Sequence, residues 1–220
     1  MAINKEKFFD LRNVCEAHGA GLVAVSKTKP ASDILDLYNA GQRDFGENYV
    51  QELVEKQAVL PADIRWHFIG HLQSNKVKFI APFVYLVHGV DSLNLLKEIH
   101  KQGIKLGRPI PCLLQVHIAR EETKFGFDET ELTACMAQIQ ADPAAFTGVR
   151  IRGLMGMASF SEDQALVRQE FKKLKKLFDK NGFSSPADFL SMGMSGDYQV
   201  ALEEGATLIR IGSLLFGYRG

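Results

Sequence analysis

LVAVSKTKP, at residues 22–30, sets the pattern of the whole chain. Four apolar residues, Leu22 to Val25, run into Ser26 and Lys27, and Pro30 stands where a helix would begin. A short apolar run that meets a turn signal reads as a buried strand, here residues 21–27. Lys27 closes it. Facing a pocket, its amine would be desolvated and usable as a nucleophile; facing water, it would only cap a strand. Lys29 has the same parity along the chain, so alternation does not choose between the two lysines. Lys27 ends the apolar run directly, whereas Lys29 precedes Pro30 and is expected at the rim.

Outward from this stretch the same unit recurs. Residues 4–18 read as an amphipathic helix, with Asn4 as N-cap, Gly19 past its end, and Phe8, Leu11, Val14 and Cys15 on one face. Pro30 opens the next helix, where its missing N–H costs nothing, and that helix ends at Ala40 before Gly41. Further strands are expected at 43–46, 65–70, 84–88, 110–118, 149–155, 187–191 and 207–211. Helices are expected at 47–59, 74–80, 92–102, 129–140, 162–181 and 197–204. Eight strands alternating with helices over 220 residues match the spacing of a (β/α)8 TIM barrel in one α/β domain. The last strand has little chain left for a helix, and the additional N-terminal helix would fill that place in the outer ring. An open doubly wound sheet is the competing arrangement.

Composition narrows the function. Hydrophobic residues make up 46% of the chain and charged residues 24%, the balance of a soluble protein with a real core. Lys plus Arg and Asp plus Glu each number 26, so there is no net charge to hold nucleic acid, and any anion must be gripped locally. Cys15, Cys112 and Cys135 are scattered and odd in number, against a disulfide framework and for a reducing compartment. The N-terminus has no apolar signal core, and no run approaches the ~18 apolar residues of a membrane span. A cytoplasmic protein without a membrane or nucleic-acid partner is expected.

In such barrels the chemistry lies at the C-terminal ends of the strands. Those ends carry Lys27, Asn48, His67 to His71, His88, His117, Met157, Ser191 to Ser195 and Arg210 to Ser213. SMGMSGD at 191–197 and RIGS at 210–213 follow strands seven and eight, where barrels commonly hold a phosphate on backbone N–H groups. Ser195 and Ser213 offer hydroxyls there, and Gly193, Gly196 and Gly212 let the backbone come close. Arg210 shares a face with Leu208 inside TLIRIG, so its charge needs a ligand or a buried carboxylate. His67 and His71 are four apart, but the strand-like WHFIG and the absence of H-E-x-x-H argue against a metal. His18 and His100 read as complements to helix dipoles. Lys124, in the turn TKFGF, is a solvated loop lysine or a second anion contact.

A strand-end amine facing a phosphate site suits a phosphorylated aldehyde or keto-sugar phosphate. Pyridoxal 5′-phosphate needs such an amine, phosphate donors and a partner for its ring nitrogen, and Arg210 could be that partner. At these positions the chain also resembles a known family. VAVSKTKP at 23–30, FGENYVQE at 45–52, WHFIGHLQSNK at 66–76, GLMGMA at 153–158, LSMGMSGD at 190–197 and RIGSLLFG at 210–217 resemble the pyridoxal phosphate homeostasis proteins, single-domain relatives of the alanine racemase N-terminal barrel. The resemblance implies that Lys27 carries the cofactor as a Schiff base, that Arg210 faces the pyridine nitrogen, and that Ser195, Gly212 and Ser213 hold the phosphate. It also implies that Asn48, His67 and Met157 lie around the ring.

An arginine donates to an unprotonated pyridine, a weaker electron sink than a carboxylate-paired pyridinium. Alanine racemases, with the same partner, add a tyrosine base from a C-terminal domain, which this chain is expected to lack along with the dimerising unit. The expectation is a monomer that binds, buffers and delivers pyridoxal phosphate, with apo enzymes as recipients and little or no turnover. The alternatives are a racemase-like enzyme with His67 or His117 as base, and a Schiff-base lyase acting on a sugar phosphate.

Overall fold

The computed structural model describes residues 3–121 and 125–217. Strands β1 (Gly21–Val25), β2 (Asp44–Glu47), β3 (Arg65–Phe68), β4 (Leu86–Val90), β5 (Ile110–Val116), β6 (Val149–Gly156), β7 (Phe189–Ser191) and β8 (Leu208–Ile211) close into a barrel in sequence order. Every pair is parallel, and the closing pair sets Val23 of β1 beside Arg210 of β8. The open doubly wound sheet is excluded by that closure.

Helix α1 (Lys5–Ala17) precedes β1, and the Asn4 side chain accepts from the Lys7 amide as expected of its N-cap. Its face of Phe8, Leu11 and Cys15 is buried, and the Asn4 amide donates to Leu215 O at 2.8 Å. The helices α2 (Ala31–Asn39), α3 (Val50–Val59), α4 (Val77–Ile80), α5 (Leu93–Leu106), α6 (Glu129–Ala141), α7 (Gln164–Lys180), α8 (Tyr198–Glu203) and α9 (Ser213–Phe216) follow their strands. The last strand therefore does carry a helix, of four residues, and α1 lies against that corner.

Several boundaries differ from the sequence reading, each for a local reason. Pro30 is the N-cap of α2 in extended conformation, one position before the first helical residue. Glu47 ends β2 instead of opening α3. Expected at 84–88, β4 runs from Leu86 to Val90, because the Phe83 and Val84 amides turn back to Ile80 O. His88 is therefore in the strand, not at its tip. Helix α5 continues through Gly103 to a left-handed cap at Gly107. Gly103 serves packing: a Cβ there would lie 1.9 Å from Gly148 O. His100, expected at a helix end, sits inside α5, and its Nδ1 accepts from the Gly148 amide at 3.0 Å. Its role is a tie between α5 and the start of β6. His18 does lie past the end of α1, bonded to Val14 O at 2.9 Å.

Two packing regions result. A large apolar layer fills the space between strands and helices. Inside the barrel, Val23, Leu86, Leu113, Met155 and Leu208 form a smaller apolar plug. Period-two alternation sets Val25, His88, Gln115, Met157 and Arg210 two residues further toward the C-terminal mouth. A polar level thus rests on an apolar one. Among the described residues, no helix is long and apolar enough to cross a membrane.

Candidate functional site

Lys27 is delivered by a turn, not by the strand itself. β1 ends at Val25, and Thr28 adopts a left-handed φ of 63°, a conformation that β-branched residues rarely accept. Charges outside the barrel hold this turn. The Lys56 ammonium, buried on α3, donates to Ser26 O at 2.8 Å and to Glu47 and Glu52 at 2.7 Å each. Ser26 Oγ donates to the same Glu47 oxygen at 2.6 Å, and the Thr28 amide donates to Glu52 at 2.6 Å. Burial pushes the Glu47 carboxyl up to about 6, against the opposing pull of Lys56 and Ser26. Lys29 is committed elsewhere, its Nζ donating to Phe216 O at 2.9 Å.

Across the mouth, Arg210 is buried, and burial lowers its guanidinium to about 10. Its Nη1 donates to Ser191 Oγ at 2.6 Å and its Nη2 to Gly156 O at 3.2 Å, both neutral acceptors. The buried carboxylate that sequence reasoning allowed for is not among these partners. Two residues on, Gly212 starts a turn in which the amide ladder of α9 begins only at Leu215, so the Ser213 and Leu214 N–H groups precede it. The turn after β7 carries Ser195 and meets β8 where the Arg210 amide donates to Gly193 O at 3.0 Å; Gly193 has φ 93°, and the Met194 amide is bonded to Asp197 at 2.5 Å. A Cβ on Gly193 would approach Ala201 Cβ to 2.6 Å, so this turn needs glycine for its path as well as its angle.

The other expected residues divide. Asn48 follows β2, and its Oδ1 is buried without a hydrogen-bond partner. Met157, past the end of β6, packs half-buried on the interior plug. His67 lies deeper than a mouth residue. Its Nε2 is 3.0 Å from Asp44 and its Nδ1 2.9 Å from His88, so both ring nitrogens are engaged within the barrel. His71 is instead exposed, bonded to Asp91 at 3.0 Å and stacked on Phe125. His117 Nε2 is 2.9 Å from Glu121 O. Lys124 lies outside the described residues. Burial raises the thiols of Cys15 to about 11 and Cys112 to about 12, which removes them as nucleophiles at neutral pH.

Sequence reasoning missed Asp44, which hydrogen bonds from Arg65 and His67 hold at about 2 although burial acts to raise it. It also missed His88 as a buried group: burial, with repulsion from His67 and Arg210, lowers it well below the ordinary histidine value of 6.5. The folded state therefore binds fewer protons there than the unfolded chain once pH falls below about 6.5. His88 should thus cost stability on acidification, by up to about 1.4 kcal/mol per pH unit. Urea unfolding between about pH 7 and pH 5 is expected to show this slope. A His88→Gln variant should lose that part of it.

A family model described as "Alanine racemase, N-terminal domain" matches residues 5–220. A pyridoxal phosphate homeostasis protein of Aquifex aeolicus is 40% identical over 217 residues, covering 95% of this chain and 93% of its own. The chain belongs to the pyridoxal phosphate homeostasis protein family. Among solved structures, PipY of Synechococcus elongatus with PLP bound superposes with a TM-score of 0.85 at 36% identity, over 97% of this chain and 99% of PipY. Alanine racemase of Streptomyces coelicolor matches at 15% identity with a TM-score of 0.76, over 99% of this chain and 60% of the racemase. That likeness shows the barrel alone.

Proposed function

We propose that this chain binds pyridoxal 5′-phosphate and buffers it for delivery to apo enzymes, with little or no turnover of its own. The observation that carries the reading is Arg210, a buried guanidinium at the barrel mouth whose hydrogen bonds go to neutral oxygens. A buried cation held in this way fits the nitrogen of a pyridine that stays unprotonated. The partnerless Oδ1 of Asn48 and the glycine turns after β7 and β8 fit the same ligand.

Lys27 would supply the amine that holds the cofactor through its aldehyde. Ser195, Gly212 and Ser213 take the phosphate. Asn48 and Met157 flank the ring, and His67 supports it from within the barrel. The PLP-bound relative and the curated relatives' name support this assignment. Residues 1–220 serve as one cofactor-binding domain, working as a cytoplasmic monomer.

The engaged nitrogens of His67 and the backbone contact of His117 speak against a racemase-like base at either position. Borohydride reduction of the purified protein, followed by peptide mapping, should find the reduced cofactor on Lys27. Label on another lysine would overturn the site. Conversion of amino acids at ordinary enzymatic rates, about 1–10³ per second, would overturn the carrier reading.

A further inference from the structure

From Arg210 an unbroken line of hydrogen bonds runs back through the barrel to its N-terminal end. Arg210 Nη1 donates to Ser191 Oγ at 2.6 Å, and Ser191 Oγ lies 3.0 Å from His88 Nδ1. His88 Nε2 is 2.9 Å from His67 Nδ1, and His67 Nε2 is 3.0 Å from Asp44 Oδ1. Asp44, the first residue of β2, also accepts from Arg65 at the rim. Ser191 and His88 are completely buried, and His67 nearly so.

Donor and acceptor rules place every proton in this line. A guanidinium can only donate, so Ser191 accepts from Arg210; counted from the Asp44 end with neutral rings, His88 Nδ1 is an acceptor, and the Ser191 proton goes to it. His88 is then the Nε2–H tautomer and donates to His67 Nδ1. His67 must also carry its proton on Nε2, where it meets a carboxylate that can only accept. All five groups are satisfied with both imidazoles neutral, and every dipole points from Arg210 toward Asp44. Reversing the line requires a second proton on a ring, placing a new cation in the interior that already holds Arg210. Where that proton falls on His88, its complete burial and the repulsion it feels from His67 and Arg210 oppose it.

Such a line acts on Arg210 in two ways. It fixes where the guanidinium sits, because Ser191 has one orientation that serves both neighbours. It also strengthens Ser191 Oγ as an acceptor, since successive hydrogen bonds that end on a carboxylate polarise one another. Electron density passed to the guanidinium makes it a weaker acid. That offsets the burial that favours its neutral form; Asp197, in the turn after β7, adds to the same stabilisation through space.

We propose that Asp44, His67, His88 and Ser191 are positioning residues whose one-way line of hydrogen bonds keeps Arg210 placed and charged, so that it donates to the cofactor's ring nitrogen without surrendering its proton. The assignment rests on the cofactor reading above and extends it to the residues that act on Arg210 through one another.

The first test needs no cofactor and no variant. Nitrogen-15 NMR of the histidine-labelled protein should show both rings as Nε2–H tautomers, and an Nδ1–H tautomer at either ring overturns the line. The second uses pyridoxal phosphate labelled at the ring nitrogen. Asp44→Asn keeps the shape of the last acceptor but removes its charge, and should move the ring-nitrogen resonance toward the pyridinium position. Ser191→Ala should do the same and also speed cofactor release about tenfold, as loss of one hydrogen bond to a charged group would. Borohydride capture on Lys27, run on each sample, separates the two readings. Absent capture in the native protein defeats the cofactor reading. Intact capture with an unmoved ring resonance in both variants defeats the relay alone.

Discussion

Lys27→Ala is expected to abolish covalent capture of pyridoxal phosphate completely, with mass mapping after borohydride reduction falling to background. The reason lies in what surrounds the deleted amine. The lysine two residues on cannot take over, because Lys29 Nζ is held by Phe216 O at the corner where α9 ends. The turns after β7 and β8 and Arg210 remain in the variant, so the cofactor is expected to enter still but to leave as free aldehyde. Absorbance separates the two states, since an imine of pyridoxal phosphate is yellow at neutral pH and its loss follows the loss of label. Capture that persists at Lys29 would overturn the assignment of Lys27.

The second large effect concerns stability. Lys56→Met should destabilise the fold by roughly 3–5 kcal/mol at neutral pH, because it strands a carboxylate that is completely buried. Glu47 already sits at about 6 with Lys56 beside it, and removing the ammonium raises it further. A carboxyl whose folded value lies above its unfolded value stabilises the fold below the unfolded value and loses that contribution as pH rises through the folded one. The deficit of Lys56→Met should therefore be large at about pH 8 and much smaller at about pH 5, as measured by urea unfolding. The double variant Glu47→Gln with Lys56→Met should recover most of the loss at high pH. A deficit that does not change with pH would mean that the damage is packing rather than charge.

The barrel was legible because its signals are local. Each short apolar run meets its own turn residues, and eight such units at steady spacing leave few architectures. Lys27 and the Gly–Ser turns could be proposed from the sequence for the same reason, since each lies within one stretch of chain. The interior was not. His88 and Ser191 are 103 residues apart, and no pattern in either segment announces the other. No motif marks Asp44, one residue into the strand expected at 43–46. Lys56, in VQELVEKQAV, has the look of a solvated helix face, and only the packing of α3 on the first turn shows it to be buried. Gly103 misled in the opposite direction. A glycine near the end of a helical run signals a stop, but here it is the close approach of Gly148 that requires it.

The left-handed backbone at Thr28 has a price for the molecule as a whole. A threonine at φ 63° forgoes roughly 1–2 kcal/mol that a glycine would not, and this cost falls on the residue directly after Lys27. The amide of Thr28 is pinned by Glu52, so the strain is held from outside the barrel rather than relieved. The Lys27 amine is thus mounted on a cocked turn, and selection for greater thermal resilience alone would be expected to relax that position first.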